Sequence, residues 1–501
     1  MPRSKESAVN RSKQPGSDFL QLDVAEAPPG GLADWLARRL RRAISDGRLP
    51  LGSTLPATRV LAAELRVSRG VVTEAYQRLV EDGHVVGRGR RGTVVVSVPS
   101  PTPVVPAEPP DAPAPAALFV PSPTDEVFET LRAAPARVDL SPGVPDLAAF
   151  PRAAWLRAER AVLTELPAAA LGYGDPRGAP ALRAAIARWL ARNRGIAASP
   201  DEVLVVNGTA QALVLAGEAL RRAGYGAMAV EEPGSLGVRL HIARTGLATP
   251  PVPVDEEGVR VAGPGGLRAL GADAVLLTPA HQFPTGVVLS GERRRALTRW
   301  AGERDGPGGL IMEDDYDAEH RYDRPPVPAL RSLLPERVCY TGSVSKLLAP
   351  ALRVGWVLAP PWLHAAMVAA KRHADLGNPV LPQLVLARLM DSGELERQLR
   401  QLRVRHRRRR DAMVAALRER VPEAVVHGAA AGLHLMVTLE GPYGDVDDTR
   451  LAARALERGV KTHPLTWHRQ RPGPPGLVLG YAARTPGEIE EGIEELARAL
   501  A

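Results

Sequence analysis

The sequence predicts an α/β fold whose C-terminal part contains a mostly parallel sheet with a smaller C-terminal α/β domain. Two observations carry this prediction. Five short apolar runs are separated mostly by stretches with helical periodicity, and each run ends in a cluster of polar residues. Strands buried on both faces of a parallel sheet have this appearance. The runs are residues 203–206, 227–230, 274–277, 310–312 and 338–340.

A change in composition separates this part from a smaller N-terminal domain. The chain has 501 residues, which exceeds a single core. From Pro99 to about Pro123 the sequence is dominated by proline and alanine, which sustain neither a helix nor an interior strand. We therefore expect an extended spacer. The predicted boundaries are 1–18 for a disordered N-terminus, 19–98 for the first folded domain, 99–136 for the linker and 137–501 for the second domain.

Charge and cysteine content narrow the class of protein. The formal net charge of +8 and the pI near 9.9 favour a polyanionic partner. A single cysteine, Cys339, excludes an intramolecular disulfide, and its place in an apolar run predicts a buried, inert thiol. We find neither an apolar stretch of the roughly 18 residues that a membrane span needs nor the apolar core of a signal peptide. These features favour a cytoplasmic protein without a membrane partner.

The N-terminal domain has the pattern of three helices followed by a basic hairpin. Apolar residues recur at helical spacing in the first helix, at Leu32, Leu36, Leu40 and Ile44. A second helix is expected at 57–65, and Ser68 can cap a third. Short apolar runs then flank the tip GRGRRG at 87–92. This order predicts a winged helix-turn-helix, in which the third helix enters the major groove of double-stranded DNA and the wing contacts phosphates.

Many fixed positions between residues 30 and 96 closely resemble the DNA-binding domain of GntR-type repressors, including GxLxxGxxLP at 47–56 and VSR at 67–69. Arg66 stands where that family usually has a turn glycine. The alternative, a solvated three-helix module, accounts less well for arginines clustered where a groove-binding protein needs them. The DNA contacts that the resemblance implies are Arg59, Ser68, Arg69, Thr73, Arg88, Arg90 and Arg91.

A second concentration of arginines at 403–410 lies within a helical pattern led by Leu395, Leu399 and Leu402. A solvated helix face is the favoured interpretation, with a secondary DNA contact as the alternative.

The polar clusters of the second domain should meet in one crevice, because open α/β sheets bind ligands beyond the carboxyl ends of their strands. These clusters are residues 207–209, 281–282, 314–316 and 343–346. A lysine amine can form a Schiff base with an aldehyde, and burial together with a nearby cation such as Arg353 would lower its pKa. The helix that Gly208 and Thr209 open, with the hydroxyls of Ser343 and Ser345, can bind a phosphate.

A carboxylate at the end of a neighbouring strand, Asp314, can hold a ring nitrogen protonated, and Tyr316 can reach a ring hydroxyl. Each motif taken singly is common in proteins without this chemistry. Their order at successive strand ends describes a site for pyridoxal 5′-phosphate.

Residues from about 139 to the C-terminus resemble fold type I aminotransferases, and most closely the aminotransferase-like domain of MocR-type regulators, which carry a GntR-type head. The motifs are GYGDPRG at 172–178, TPAHQFPTG at 278–286, EDDYD at 313–317 and SVSK at 343–346. The likeness implies that Lys346 forms the Schiff base, Asp314 contacts the pyridinium and Tyr316 the ring hydroxyl. The phosphate ligands it implies are Gly208, Thr209, Gln211, Ser343 and Arg353.

Two further residues have alternative interpretations. By the resemblance, Tyr173 is the tyrosine that one subunit of a domain-swapped homodimer lends to the phosphate of its partner, although it could be an ordinary loop tyrosine. His281 could contact an effector or equally brace its loop. No metal ligands are expected.

Three departures from the aminotransferase pattern bear on activity. Val478 stands where the arginine that binds the substrate carboxylate is expected, Ser235 replaces a ring-stacking aromatic residue, and Phe283 replaces an asparagine. Without a bidentate arginine the usual grip on an α-amino acid is missing. We therefore expect the site to hold the cofactor with little or no net turnover.

The favoured hypothesis is a transcription regulator that senses pyridoxal 5′-phosphate or an amino effector at Lys346, with control of vitamin B6 synthesis as one corresponding role. The alternatives are a working aminotransferase with an appended regulatory head and a dimerisation module that binds no cofactor. The sequence leaves open the operator, the sign of regulation and the identity of the effector.

Overall fold

The computed structural model describes residues 22, 24–28, 31–89, 92–96, 115–303, 309–322 and 327–501. The chain divides into two compact units, Met1–Pro106 and Ala107–Ala501. The predicted disordered N-terminus (1–18), the wing residues Arg90 and Arg91, and residues 99–114 of the predicted linker lie outside the described residues. Within the described part, we find no helix with the length and hydropathy of a membrane span.

The N-terminal unit has the winged helix-turn-helix order of elements. Its helices are α1 (Leu32–Ser45), α2 (Thr58–Leu65) and α3 (Arg69–Glu81), and its antiparallel hairpin pairs β1 (Val85–Gly87) with β2 (Thr93–Val95). The four apolar positions predicted for α1 are buried or half-buried in the core of this unit. Ser68 caps α3 as predicted, because its Oγ accepts a hydrogen bond from the Val71 N–H at 3.4 Å. Arg66 adopts a left-handed conformation with φ of 54° at the end of α2, where glycine would be unstrained.

Among the described residues, the central sheet of the C-terminal unit has eight strands. Their spatial order is β4 (Val203–Val206), β11 (Gly355–Leu358), β10 (Val338–Ser343), β9 (Leu310–Asp314), β8 (Ala274–Leu277), β5 (Ala229–Glu232), β6 (Pro251–Asp255) and β7 (Gly258–Val259). The five predicted strands run in the same direction, but β11 lies antiparallel between β4 and β10. The connection from β10 to β11 is too short for a helical crossover, so the chain returns antiparallel.

Helices cover both faces of this sheet. One face packs against α7 (Pro180–Arg194) and α13 (Val380–Asp391), and the other against α8 (Thr209–Arg222) and α12 (Pro361–Asp375). This packing explains why strands such as β4 and β8 are apolar throughout their length, since both of their faces are buried. The remaining helices of this part are α6 (Arg152–Glu165), α9 (Leu236–Ala243), α10 (Leu267–Leu270) and α11 (Gly291–Gly302).

A smaller C-terminal domain follows the helix α14 (Glu394–Arg420). Its sheet has the order β12 (Ala424–His427), β13 (His434–Leu439), β16 (Gly476–Gly480) and β15 (His463–Pro464), and a separate parallel pair joins β3 (Val138–Asp139) to β14 (Val460–Lys461). Helices α15 (Asp448–Glu457) and α16 (Pro486–Leu500) pack on it. Thr485 and Glu488 form the capping box expected for α16.

The described end of the predicted linker is folded. Residues 115–136 form the short helices α4 (Pro115–Leu118) and α5 (Val127–Ala133), whose residues Leu118, Phe119, Val127 and Leu131 are buried in the core of the smaller domain. This segment differs from the extended spacer that its composition predicts, because its few apolar residues find partners that are distant in sequence.

Candidate functional site

A cavity of about 760 Å³ opens at the carboxyl ends of β5, β9 and β10 and at the N-terminus of α8. The structure brings six of the predicted site residues to its wall, and sequence positions more than a hundred residues apart thereby become neighbours. These residues are Thr209, Asp314, Tyr316, Ser343, Lys346 and Arg353.

Lys346 lies in the connection between β10 and β11 that the antiparallel strand creates. Its side chain is half-buried, and its Nζ donates a hydrogen bond to the carbonyl oxygen of Gly143. Burial lowers the pKa of Lys346, and the carboxylates of Asp314 and Asp317 partly oppose this effect. A lowered pKa increases the fraction of neutral amine, which is the form that attacks an aldehyde.

Asp314 ends β9 and is buried at the bottom of the cavity. Burial, followed by repulsion from Asp315, raises the pKa of Asp314 to about 7, while a hydrogen bond from Thr341 Oγ1 at 3.3 Å acts in the opposite direction. Asp315 is itself held by a buried ion pair with Arg194, with Nε and Oδ2 2.6 Å apart. Burial makes the isolated carboxylate anion of Asp314 unfavourable. A cationic partner, such as a protonated ring nitrogen, would therefore stabilise that anion strongly.

An anion cup lies at the start of α8. Gly208 has φ of +79°, and a Cβ placed on it would lie 3.2 Å from Nη1 of Arg353, so the absence of a side chain lets the guanidinium approach the helix terminus. Arg353 also donates a hydrogen bond to the carbonyl oxygen of Asn207. With the hydroxyls of Thr209 and Ser343 beside it, this arrangement offers the charge and the donors that a phosphate requires.

Gln211 and Tyr173 do not line this cavity. Gln211 Oε1 accepts a hydrogen bond from the Asn207 N–H at 2.8 Å, and its Nε2 donates to Asp375 at 2.7 Å, so the amide braces the loop before α8. Tyr173 is 97% exposed in the single chain. A contact of Tyr173 with a phosphate would require a second subunit.

His281 lies behind Tyr316 and does not line the cavity. Its Nδ1 is 2.8 Å from Oδ2 of Asp317 and 3.3 Å from the Tyr316 hydroxyl, and that hydroxyl donates to the His281 carbonyl oxygen at 3.2 Å. Its position therefore corresponds to the bracing alternative. Burial raises the pKa of Tyr316 well above its ordinary value, which keeps the hydroxyl a hydrogen-bond donor.

His281 and Asp317 also form, with His434, a group whose ligand-type atoms lie within 4.8 Å of one another. Because His281 and Asp317 already share a direct hydrogen bond, we interpret this group as a buried polar brace for Tyr316.

Val478 does not itself line the cavity, and the described side chains packed on it carry no charge. Two arginines besides Arg353, Arg132 and Arg239, line the cavity, and Arg239 Nη2 donates to the Trp467 carbonyl oxygen at 2.7 Å. Val478 is fully buried in β16 and packs with Met436, Leu465 and Phe283. The imidazoles of His434, His463 and His468 line the cavity. The Phe283 ring centroid lies 4.8 Å from that of His434 and 5.0 Å from that of His468, and the centroids of His463 and His468 are 5.7 Å apart. Burial lowers the pKa of His434 to about 3 and that of His463 to about 4, and lowers the pKa of His468 well below 6.5.

Sequence reasoning did not find these three histidines, and no local motif marks them. It also missed Phe128, Leu131 and Arg132, which line the cavity from α5. All six reach the site because the smaller domain and the end of the linker pack against it. The spacing of residues in the sequence does not show which distant segments pack together.

The predicted DNA-contacting residues of the N-terminal unit that the structure describes are accessible. Arg59, Ser68, Arg69 and Thr73 are exposed around the N-terminal half of α3, and Arg88 is exposed at the end of β1. Arg69 Nε donates to Thr58 Oγ1 at 3.3 Å, which connects the two helices of the motif.

The arginines at 403–410 have two roles. Four of them bind inward on α14: Arg405 and Arg409 pair with Asp146, Arg403 donates to the carbonyl oxygen of Glu319, and Arg410 donates to that of Ala429. Arg407 and Arg408 are exposed. The favoured interpretation of a solvated face therefore describes only part of this group.

Comparison with known protein families agrees with this division. Residues 137–496 match the family Aminotransferase class I and II, and residues 32–95 match the family Bacterial regulatory proteins, gntR family. Pyridoxal 5′-phosphate is the cofactor of the first family, and the lysine, carboxylate and anion cup described above fit it.

Known relatives have the same two-part organisation along nearly their whole length. The chain is 32% identical over 488 residues to the HTH-type pyridoxine biosynthesis transcriptional regulator PdxR of Corynebacterium glutamicum, covering 96% of this chain and 98% of that protein. It is 31% identical to the probable rhizopine catabolism regulatory protein MocR of Rhizobium meliloti, covering 93% of each.

Among solved structures, the kynurenine aminotransferase of Pyrococcus horikoshii in complex with PMP, KYN and KYA matches with a TM-score of 0.66 and 29% identity, covering 75% of this chain and 93% of that one. The fold is therefore that of a fold type I aminotransferase joined to a helix-turn-helix domain. By these matches the chain belongs to the MocR-type transcription regulators, in which a gntR-family DNA-binding domain precedes an aminotransferase class I and II domain.

Proposed function

We propose that this regulator responds to pyridoxal 5′-phosphate itself, and that its targets include genes of vitamin B6 supply. The observation that carries the proposal is the cavity that combines Lys346, Asp314 and Arg353, together with the uncharged Val478, whose described packing partners are also uncharged. The similarity to the pyridoxine biosynthesis regulator of C. glutamicum supports the same choice of effector. Since its other ligand is DNA, we place its site of action in the cytoplasm.

The residues of the chain have separable roles in binding. Thr209, Ser343 and Arg353 hold the phosphate, Asp314 pairs with the ring nitrogen, and Tyr316 donates to the ring hydroxyl. When bound, the cofactor supplies an aldehyde that the Lys346 amine can capture. Asp317 and the Gly143 carbonyl oxygen orient that amine beforehand.

A sensing role is favoured over turnover because Val478 and the described side chains that pack on it carry no permanent positive charge, and Arg239, which does line the cavity, already donates to the Trp467 carbonyl oxygen. Binding an α-carboxylate in a buried site needs a charge-assisted, preferably bidentate, donor. The neutral imidazoles of His434, His463 and His468 do not provide one. A bound cofactor would therefore persist as a signal instead of being converted to its amine form.

We further propose a homodimer that forms over residues 147–173. This stretch carries exposed large apolar residues, which are uncommon on the surface of a monomer when they are grouped. They are Leu147, Leu156, Leu163, Leu171 and Tyr173. In such a dimer Tyr173 could reach the phosphate of the partner. Light scattering should show a dimer for the native chain and a monomer for Leu156→Glu/Leu163→Glu, whereas Leu333→Glu, at an equally exposed leucine elsewhere, should stay dimeric.

The effector is tested by measuring DNA affinity with and without pyridoxal 5′-phosphate, on a duplex obtained by in vitro selection with the full-length protein. We expect the cofactor to change the affinity of the native chain, and expect no change for Lys346→Ala or for pyridoxine 5′-phosphate, which lacks the aldehyde. Equal DNA affinity of the native chain with and without the cofactor would contradict the proposal. Sustained turnover of amino donors would instead identify a working aminotransferase.

A further inference from the structure

The segment that leads from the DNA-binding unit into the C-terminal unit forms part of the wall of the cofactor cavity. Phe128, Leu131 and Arg132 of α5 line the same cavity as Lys346 and Asp314. Leu131 is buried in the core, whereas Phe128 is only partly buried. A molecule that fills the cavity therefore contacts the end of the linker.

The same segment is held to the smaller domain by its buried apolar side chains, including Phe119 and Leu131, and by polar and ring contacts on either side of Phe128. The Phe119 ring stacks on that of Trp467 with centroids 5.2 Å apart, and Trp467 Nε1 donates to the Val120 carbonyl oxygen at 2.8 Å. Beyond Phe128, Lys461 Nζ donates to the Arg132 carbonyl oxygen at 3.3 Å. These contacts dock residues 115–136 without a long run of strand or helix pairing.

Phe128 itself packs against the first turn of α9. A Cβ placed on Gly237 would lie 3.5 Å from Cε2 of Phe128, an ordinary van der Waals separation, so the ring lies close against this turn. Its other ring neighbours are His463 at 5.5 Å and Trp467 at 6.3 Å. The ring thus lies where cavity, α9 and smaller domain meet, with part of its apolar surface still uncovered.

We propose that Phe128 is a ligand-contacting residue through which occupation of the cavity holds the linker end in its docked position. The inference rests on the proposed function, since it concerns how the bound cofactor is reported to the DNA-binding unit. A ligand shifts an equilibrium only when it binds one state better. Phe128 can contact the ligand only when α5 is docked on the smaller domain. Binding of a ligand in the cavity therefore favours the docked state.

Docking changes where the chain first joins the C-terminal unit. When α5 is docked, residues 115–136 are held in that unit, and when it is released, they are added to the stretch that connects the two units. The effective concentration of a tethered domain at its target depends on tether length. Occupation of the cavity can therefore alter how two DNA-binding units engage one duplex, without any change in their own structure.

The experiment compares the full-length native chain with Phe128→Ala, and uses Thr130→Ala as the matched control, because Thr130 lies on the same helix and does not line the cavity. Hydrogen exchange of residues 115–136 and affinity for the selected duplex are measured with and without pyridoxal 5′-phosphate. In the native chain and the control, the cofactor should slow exchange and change DNA affinity by about tenfold, as is usual for coupled sites.

For Phe128→Ala we expect cofactor affinity to fall by up to about tenfold, because a ligand contact is lost, and at saturating cofactor we expect a change in DNA affinity of less than about twofold and no slowing of exchange. A variant that keeps the native response would overturn the inference and leave the proposed function intact. A variant that no longer binds the cofactor would also overturn it, by assigning the ring a purely structural role. A native chain without any response would overturn the proposed function as well. If Phe128→Ala does not fold, Phe128→Leu is measured with the same criteria.

Discussion

Gly208 leaves room for the Arg353 guanidinium at the start of α8, where a Cβ on the glycine would lie only 3.2 Å from Nη1 of the arginine. The glycine also has φ of +79°. The backbone conformation at Gly208 and its lack of a side chain therefore determine where the Arg353 guanidinium, which we assign to the phosphate, can lie.

Gly208→Ala should therefore weaken binding of pyridoxal 5′-phosphate by about tenfold or more, because the added methyl group displaces the guanidinium and the left-handed backbone is strained by roughly 1 kcal/mol. Gly224→Ala is the matched control, since Gly224 at the other end of α8 has φ of +90° and no atom within 4 Å of the added Cβ. Fluorescence titration measures both affinities. An equal loss in the two variants would attribute the effect to backbone strain alone.

The buried carboxyl group of Asp314 should make the cofactor-free protein less stable as the pH rises. Its pKa of about 7 lies above the roughly 3.9 of an unfolded aspartate, so the folded state binds more protons and loses stability between about pH 4 and pH 7. Asp314→Asn removes this titration. The melting temperature of the variant minus that of the native protein should rise from pH 5 to pH 7 and then level off. A difference in melting temperature that does not depend on pH would contradict the raised pKa of Asp314.

Because Val478 and the described side chains packed on it are uncharged, we expect the site to bind a ligand with an α-carboxylate and one without it about equally well. We expect L-leucine and 3-methylbutylamine, which is leucine without its carboxylate, to perturb the absorbance of the bound cofactor at concentrations within about threefold of each other. A charged hydrogen bond of about 1.5–3 kcal/mol would instead favour leucine by more than tenfold. A preference of that size would show that another cation in the cavity grips the carboxylate.

Arg69 should contribute one phosphate or base contact to DNA binding. Arg69→Ala is expected to weaken affinity for the selected duplex and, if the contact is to a phosphate, to reduce the slope of log affinity against log salt by about 0.9. Arg42→Ala is the control, because Arg42 is an exposed arginine on α1 outside the predicted interface. Fluorescence anisotropy over a salt series gives both quantities. Equal affinities and equal slopes for the native protein and both variants would place Arg69 outside the interface.

Local signals were sufficient for much of the architecture. The apolar runs and the polar residues at their ends predicted five strands and placed Lys346 and Asp314 in one crevice, with Arg353 as the candidate for a nearby cation. The rule that ligands bind at the carboxyl ends of parallel strands needs only strand order and direction. The capping residues Ser68 and Thr485 were equally accessible, since a cap depends on the next three residues.

Interactions between distant segments were not accessible in this way. The antiparallel strand β11 has the same apolar composition as its neighbours, and only the short return from β10 sets its direction. Composition marked residues 115–136 as a spacer, yet Phe119 and Leu131 are buried against partners more than 300 positions away, including Trp467. Gln211 matched a phosphate ligand by resemblance, but its amide bonds to Asp375 instead.

The residue pattern alone established the identity of the two domains and the chemical groups of the site, because strand periodicity, capping and short motifs are encoded within a few neighbouring positions. Tertiary structure decided the charge state of those groups, the neutral wall of histidines and the contact of Phe128 with the cavity. Desolvation and packing depend on which distant residues share a core, and that arrangement exists only in the folded chain.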